Sequence, residues 1–131
     1  MPSIFTRIIQ GEIPCYKIAE NADCFAFLDI NPLKPGHTLI VPKLEVDKLF
    51  DLDAKNYSLL MEFARKVAAA IEKVITCNRV GLVVIGLEVP HAHIHLIPIN
   101  DVGDTDFSKQ RVKLTTEEFK EIAQRIANAI E

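Results

Sequence analysis

Three of the four histidines in this 131-residue chain stand at every second position, in Pro90-His91-Ala92-His93-Ile94-His95-Leu96-Ile97-Pro98. In an extended chain successive side chains point to opposite faces, so His91, His93 and His95 share one face while Ala92, Ile94 and Leu96 share the other. Imidazoles with a reference pKa near ~6.5 make poor core material and good acid–base, nucleophilic or metal-ligand material. Three uses compete. Neutral imidazoles could hold a catalytic zinc, but no carboxylate or cysteine pair lies nearby in sequence to complete or orient the set. They could be solvated on an open sheet face, which the strict alternation argues against. Or one imidazole attacks an electrophilic phosphorus, a second neutralises or protonates the leaving group, and a third orients the set. The fourth histidine, His37, opens another β-prone run, His37-Thr38-Leu39-Ile40-Val41-Pro42.

The surrounding elements must position these groups. Ser3 is suited to cap a short helix through Ile9, with Gly11 a stop beyond it. Cys15–Glu20 and Cys24–Asp29 read as two strands of a hairpin around Asn21-Ala22-Asp23, a turn without glycine. Ile30–Gly36 carries two prolines and is a connection leading to the His37 strand. A single helical turn is expected around Val46–Phe50. From Ala54 to about Ile75, Leu59, Leu60, Phe63, Val67, Ala70, Ile71 and Val74 recur at helical spacing behind an Asp53 cap, which predicts a long core-facing helix. Arg79–Gly86 reads as a strand buried on both faces. Leu87–Pro90 is a short link from it to the histidine strand. Asn100 to about Lys113 reads as a loop. A final helix follows, capped by Thr115 or Thr116, with the Thr115–Glu118 spacing of a capping box and Phe119, Ile122, Ala123, Ile126 and Ile130 as its buried stripe. Strands grouped around helices favour an α+β fold with an antiparallel sheet of about five strands, one long central helix and a C-terminal helix.

Composition narrows the function classes. At 49% hydrophobic the chain sustains one core, and residues 1–131 read as a single domain with no linker or repeat. A net charge of −3 without like-charge blocks argues against nucleic acid or an anionic membrane as partner. No signal-peptide pattern or run of ~18 apolar residues is present, so a cytoplasmic location is expected. Cys15, Cys24 and Cys77 are an odd number without metal-like spacing, and are expected to be reduced, mostly packed thiols.

His91-Ala92-His93-Ile94-His95-Leu96-Ile97 resembles the His-φ-His-φ-His-φ-φ signature of the histidine triad (HIT) superfamily, where φ is apolar. Its companion motifs are also here: Phe25–Pro32, then Pro35-Gly36-His37 through Lys43. The opening Ile4–Pro14 looks like the start of the bacterial Hint-like branch. The resemblance spans about residues 3 to 98. It implies a HIT-like fold, usually a homodimer whose sheets continue across the interface. It also implies hydrolysis or transfer of purine nucleotidyl groups at the α-phosphate, with nucleoside phosphoramidates or adenylyl-type compounds as substrates. By position, His93 would be the nucleophile that forms a covalent nucleotidyl-histidine, and His95 would contact the phosphate or leaving group. His91 and His37 would form a supporting hydrogen-bonded pair. Asp29 matches the acidic position that holds ribose hydroxyls, and Phe5, Ile8, Phe27 and Ile30 would line the base pocket. No metal or other cofactor is needed, because a neutral imidazole attacks phosphorus directly and electrostatic complementarity supports the developing charge.

The chain departs from that pattern in places. Many bacterial relatives hold a structural zinc with an N-terminal Cys-x-x-Cys pair, whereas this chain has Ser3 and Thr6 near there, so no structural zinc is expected. The phosphate-binding Gly-Gln-Ser/Thr run before the triad is replaced by Gly86-Leu87-Glu88. A carboxylate there repels a phosphate unless Glu88 turns away or pairs with a cation. The region after Pro98 lacks the Arg or Gly-Gly often found there. Two further readings therefore stand beside the phosphoramidase one: a nucleotide-binding or regulatory module with weak catalysis, and a dinucleoside polyphosphate hydrolase.

Overall fold

The computed structural model describes residues 1–131. Its elements in chain order are α1 (Ile4–Ile9), β1 (Lys17–Glu20), β2 (Cys24–Leu28), β3 (Thr38–Pro42), α2 (Ala54–Val74), β4 (Arg79–Val83), β5 (Ile94–Ile99) and α3 (Thr116–Ala129). Short 3-10 turns lie at Leu49–Asp51 and Val102–Thr105. The five strands form one antiparallel sheet in the order β1-β2-β3-β5-β4. This is the expected α+β architecture, with a long helix and a C-terminal helix packed on one side of the sheet.

The period-2 pattern of the central strands explains why they are buried throughout. In β2, Cys24, Ala26 and Leu28 join the main core under α2 and α3, while Phe25 and Phe27 face the other way. In β3, Ile40 enters the main core, whereas Leu39 and Val41 join Phe5, Phe25 and Phe27 in a second, smaller cluster. Helix α1 lies over that second face, and Phe5 contributes its buried anchor. Each fully buried Phe or Leu in these layers contributes roughly 1.5–3 kcal/mol relative to exposure. The site is built on this second face.

Local chemistry sets the connections. The Asn21 side chain accepts hydrogen bonds from the Asp23 and Cys24 amides, which closes the β1–β2 hairpin without glycine. Asp53 caps α2, and Thr115 with Glu118 forms the expected box at α3. Gly36 has φ +96°, and a Cβ there would sit 3.1 Å from Ile75 Cγ1, so only glycine fits where the chain turns into β3.

Two expectations change. The stretch beginning at Arg79 forms strand only to Val83, at the sheet edge, with exposed or half-buried residues instead of burial on both faces. An apolar run carries the same signal for a central strand and for an edge strand that awaits a partner. The histidine strand begins at Ile94, so His91, Ala92 and His93 form a lead-in outside the ladder, with a bend at His91. The Ala92 amide there bonds the Val46 carbonyl at 2.7 Å. The Asn100–Lys113 segment is a loop, as expected, apart from its capped turn at Val102–Thr105.

Candidate active site

β5 places His95 opposite Leu39 of β3 and Val83 of β4, on the face that carries the smaller aromatic cluster. His93 lies just before the strand, with its ring 4.9 Å from that of Phe5. Both histidines line an open cleft of about 470 Å³ whose walls include Phe5, Ile8, Phe27, Asp29 and Ile30. All five residues read as nucleotide-binding from the sequence therefore meet at one cavity. His91 and His37 are fully buried behind it.

Hydrogen-bond partners fix the tautomer of every histidine. His93 Nδ1 is 2.7 Å from the His91 carbonyl, which only accepts; Nδ1 therefore carries the proton, and Nε2 holds a free lone pair. The Leu33 amide donates to His37 Nδ1 at 3.0 Å, so His37 carries its proton on Nε2. That Nε2–H donates to His95 Nδ1, 3.0 Å away, and leaves His95 with an Nε2–H as its remaining polar atom. His91 Nε2–H donates to the Pro42 carbonyl at 2.8 Å, and its Nδ1 accepts from Ser3 Oγ at 2.6 Å. The arrangement is one bare nitrogen on His93 beside one N–H on His95, which is a nucleophile next to a donor.

Burial favours the neutral forms of His37, His95 and His91. His37 is pushed down to about 3 by desolvation first, then by His95 and Arg111. His95 falls to about 4 through desolvation, His93 and Arg111. His91 is also lowered, mainly by desolvation, with the Pro42 carbonyl and Glu45 opposing. Asp29 is raised by burial, against the hydrogen bond from the Asn31 amide and the charge of Arg111. Its Oδ2 lies 3.5 Å from His37 Nε2.

The expected His91–His37 pair does not form; His37 pairs with His95. Strand register gives the reason. With Leu39 opposite His95, His37 lies two residues from that pair on the same face. Extending the register puts His91 opposite Lys43, roughly 20 Å along the strand from His37. His91 instead anchors α1. Ser3 Oγ accepts from the Thr6 amide as helix cap while it bonds His91, and Glu45 Oε1 receives the Ser3 amide at 2.7 Å and Thr6 Oγ1 at 2.6 Å. Ser3 and Thr6 of this cluster are the residues set against a Cys-x-x-Cys pair in the sequence resemblance. Two neutral hydroxyls in place of thiolates do not fit a structural zinc.

Metal ligation by the triad itself finds no convergent geometry, since both His91 nitrogens and His93 Nδ1 are committed to protein partners. Asp29, His37 and His95 do bring ligand atoms within 4.8 Å of one another, but both His37 nitrogens already serve the relay.

Glu45, Phe107 and Arg111 went unread in the sequence. Phe107 meets the His95 ring edge-on at 4.8 Å and the His37 ring at 5.9 Å, so it shields their hydrogen bond from water. Arg111 lines the cleft and donates to the Asn31 carbonyl at 2.7 Å and the Phe107 carbonyl at 3.2 Å. Both lie in a segment without periodicity, and no spacing rule points from it to the triad. Glu88 stands exposed on the cleft rim.

Comparison with known proteins places the chain in a family. The HIT domain model matches residues 10–102. The chain is 32% identical over 133 residues to the adenosine 5'-monophosphoramidase hnt1 of Schizosaccharomyces pombe, covering 99% of each chain. It is 35% identical over 100 residues to an adenylylsulfatase of Arabidopsis thaliana, covering 72% of this chain and 51% of that one. Among solved structures, a Hit-like protein from Bartonella henselae superposes with TM-score 0.84 at 29% identity, over 98% of this chain and 96% of that one. The motifs, the sheet that carries them and these matches agree: the chain belongs to the histidine triad (HIT) family.

Proposed function

We propose that this protein hydrolyses or transfers purine nucleotidyl groups at the α-phosphate, with nucleoside phosphoramidates or related adenylyl compounds as substrates. The observation that carries the reading is a His93 Nε2 left without a protein partner next to a His95 Nε2–H, both lining one cleft. The lone pair of His93 Nε2 attacks the α-phosphorus, and the bond from phosphorus to the leaving nitrogen or oxygen breaks. The His91 carbonyl stabilises the positive imidazole ring formed on His93, and the Nε2–H of His95 stabilises charge on the phosphoryl or leaving atom. A departing amine takes up one proton from water. Water then cleaves the nucleotidyl-histidine, releasing the nucleotide and one proton, and His93 is restored.

The other walls assign the remaining contacts. Asp29 accepts from ribose hydroxyls, and Phe5, Ile8, Phe27 and Ile30 sandwich the base. Names of relatives support this reading: one is an adenosine 5'-monophosphoramidase and another an adenylylsulfatase. Glu88 on the rim favours a second reading, a nucleotide-binding module with slow turnover, because its charge opposes an incoming phosphate.

Two copies of the chain are proposed to pair through β4, whose open edge and exposed Leu82, with Val84 and Ile85 exposed just beyond it, fit continuation of the sheet into a partner.

Incubation with adenosine 5'-phosphoramidate tests the activity. The wild-type protein is expected to release AMP, and His93→Ala to lose at least ~10³-fold in kcat. Equal release from both proteins, or none from either, overturns the proposal.

A further inference from the structure

The cleft poses an electrostatic problem for a phosphate ligand. Its lining carries two carboxylates, Asp29 and Glu88, and the Gly86-Leu87-Glu88 wall before the triad offers no basic, amide or hydroxyl side chain. Apart from the histidines, which burial holds toward neutrality at the His37–His95 relay, the lining contains one cation, Arg111.

Arg111 is held for such a task. Its two anchoring bonds go to the carbonyls of Asn31 and Phe107, both neutral, and no carboxylate lies within ion-pair distance of it. Two of five guanidinium N–H groups are thus used for positioning, and the group makes no direct ion pair. The guanidinium carbon sits 5.3 Å from the Phe107 ring centroid, which further restricts the side chain. The loop bearing it is tied to the entry of the site, where the Val112 amide bonds the Pro32 carbonyl at 2.9 Å. Its field reaches Asp29, His37 and His95. A half-buried guanidinium with spare donors, beside the groups assigned to ribose and leaving atom, is matched to phosphoryl oxygens.

We propose that Arg111 binds the substrate's phosphate, supplying from the post-triad loop the grip that the Gly86-Leu87-Glu88 segment does not provide. This rests on the nucleotide reading above and adds a specificity-determining residue to it. A purely structural latch would tie the loop to Asn31 without distinguishing ligands that differ only in phosphate.

Equilibrium binding of AMP and of adenosine separates the two roles, measured by calorimetry on wild-type, Arg111→Gln and Arg111→Lys proteins. For R111Q, AMP affinity is expected to fall about tenfold or more while adenosine affinity stays within twofold. R111K, which keeps a charge, is expected to recover part of the AMP affinity. Equal losses for AMP and adenosine would assign Arg111 a structural role and overturn the proposal. So would unchanged AMP affinity in R111Q. Wild-type protein that binds neither ligand would instead overturn the nucleotide reading, and this inference with it.

Discussion

His93 and His95 are chemically distinct although their sequence contexts are alike. The difference lies in what each Nδ1 meets: a main-chain carbonyl at His93 and the His37 Nε2–H at His95. Alternation in the sequence pointed to a shared face, and the cleft contains His93, His95, Asp29, Phe5, Ile8, Phe27 and Ile30. It could not identify partners, because hydrogen bonds between strands depend on register, and register is not a local property. His37 was therefore assigned to the wrong histidine. Ser3 shows how one side chain serves two ends at this scale, as cap of α1 and as donor to His91. Ser3→Ala removes a cap bond and leaves a buried acceptor unpaired, a combined cost of roughly 2 kcal/mol. The melting temperature of that variant is expected to fall by roughly 5–10 °C in a calorimetric scan; an unchanged value would show that the cluster around His91 adds no stability.

Helices and hairpins were the legible elements. Periodicity located α2 and α3, and Asp53 and Thr115 marked their first turns, since caps and apolar stripes are written locally. β4 was misread because its run Val80-Gly81-Leu82-Val83-Val84-Ile85 looks buried, yet the sheet order leaves it at an edge. The hydrophobic residues along that edge fit the proposed pairing of two chains. Leu82 is 47% exposed, so Leu82→Lys costs the single chain little, within about 0.5 kcal/mol. Light scattering is expected to give twice the chain mass for wild-type protein and a concentration-dependent fall toward one chain mass for L82K. A single-chain mass for wild-type protein would refute pairing through β4. The post-triad loop stayed illegible for the opposite reason. Phe107 and Arg111 reach the site through a capped turn, the Arg111 side chain's bond to the Asn31 carbonyl and the Val112 amide's bond to the Pro32 carbonyl, which leave no periodic trace.

The whole molecule divides its sheet into two faces with separate work. One carries the large core under α2 and α3; the other carries a small aromatic cluster, α1 and the cleft. No helix is long and apolar enough to cross a membrane. Burial of His37, His91 and His95 makes the fold sensitive to acid. Their folded pKa values lie below the unfolded value near ~6.5, so the unfolded chain binds more protons in that window. Stability is complete above the unfolded value and declines as the pH drops through it toward about 4 for His95 and about 3 for His37. Lowered carboxylates at Glu45 and Asp104 add to the decline further down, and the raised Asp29 opposes it. The melting temperature is expected to be several degrees lower at pH 5 than at pH 7.5, and a flat or reversed profile would contradict neutral burial of the relay.

The central claim is covalent catalysis by His93, and the most direct measurement is mass spectrometry of acid-sparing, rapidly quenched enzyme mixed with adenosine 5'-phosphoramidate. One adenylyl group per chain is predicted, localised by fragmentation to His93 within Pro90–Pro98 and absent from His93→Ala. An adduct on His95, His91, His37 or any other residue, or steady turnover without an adduct, would contradict it.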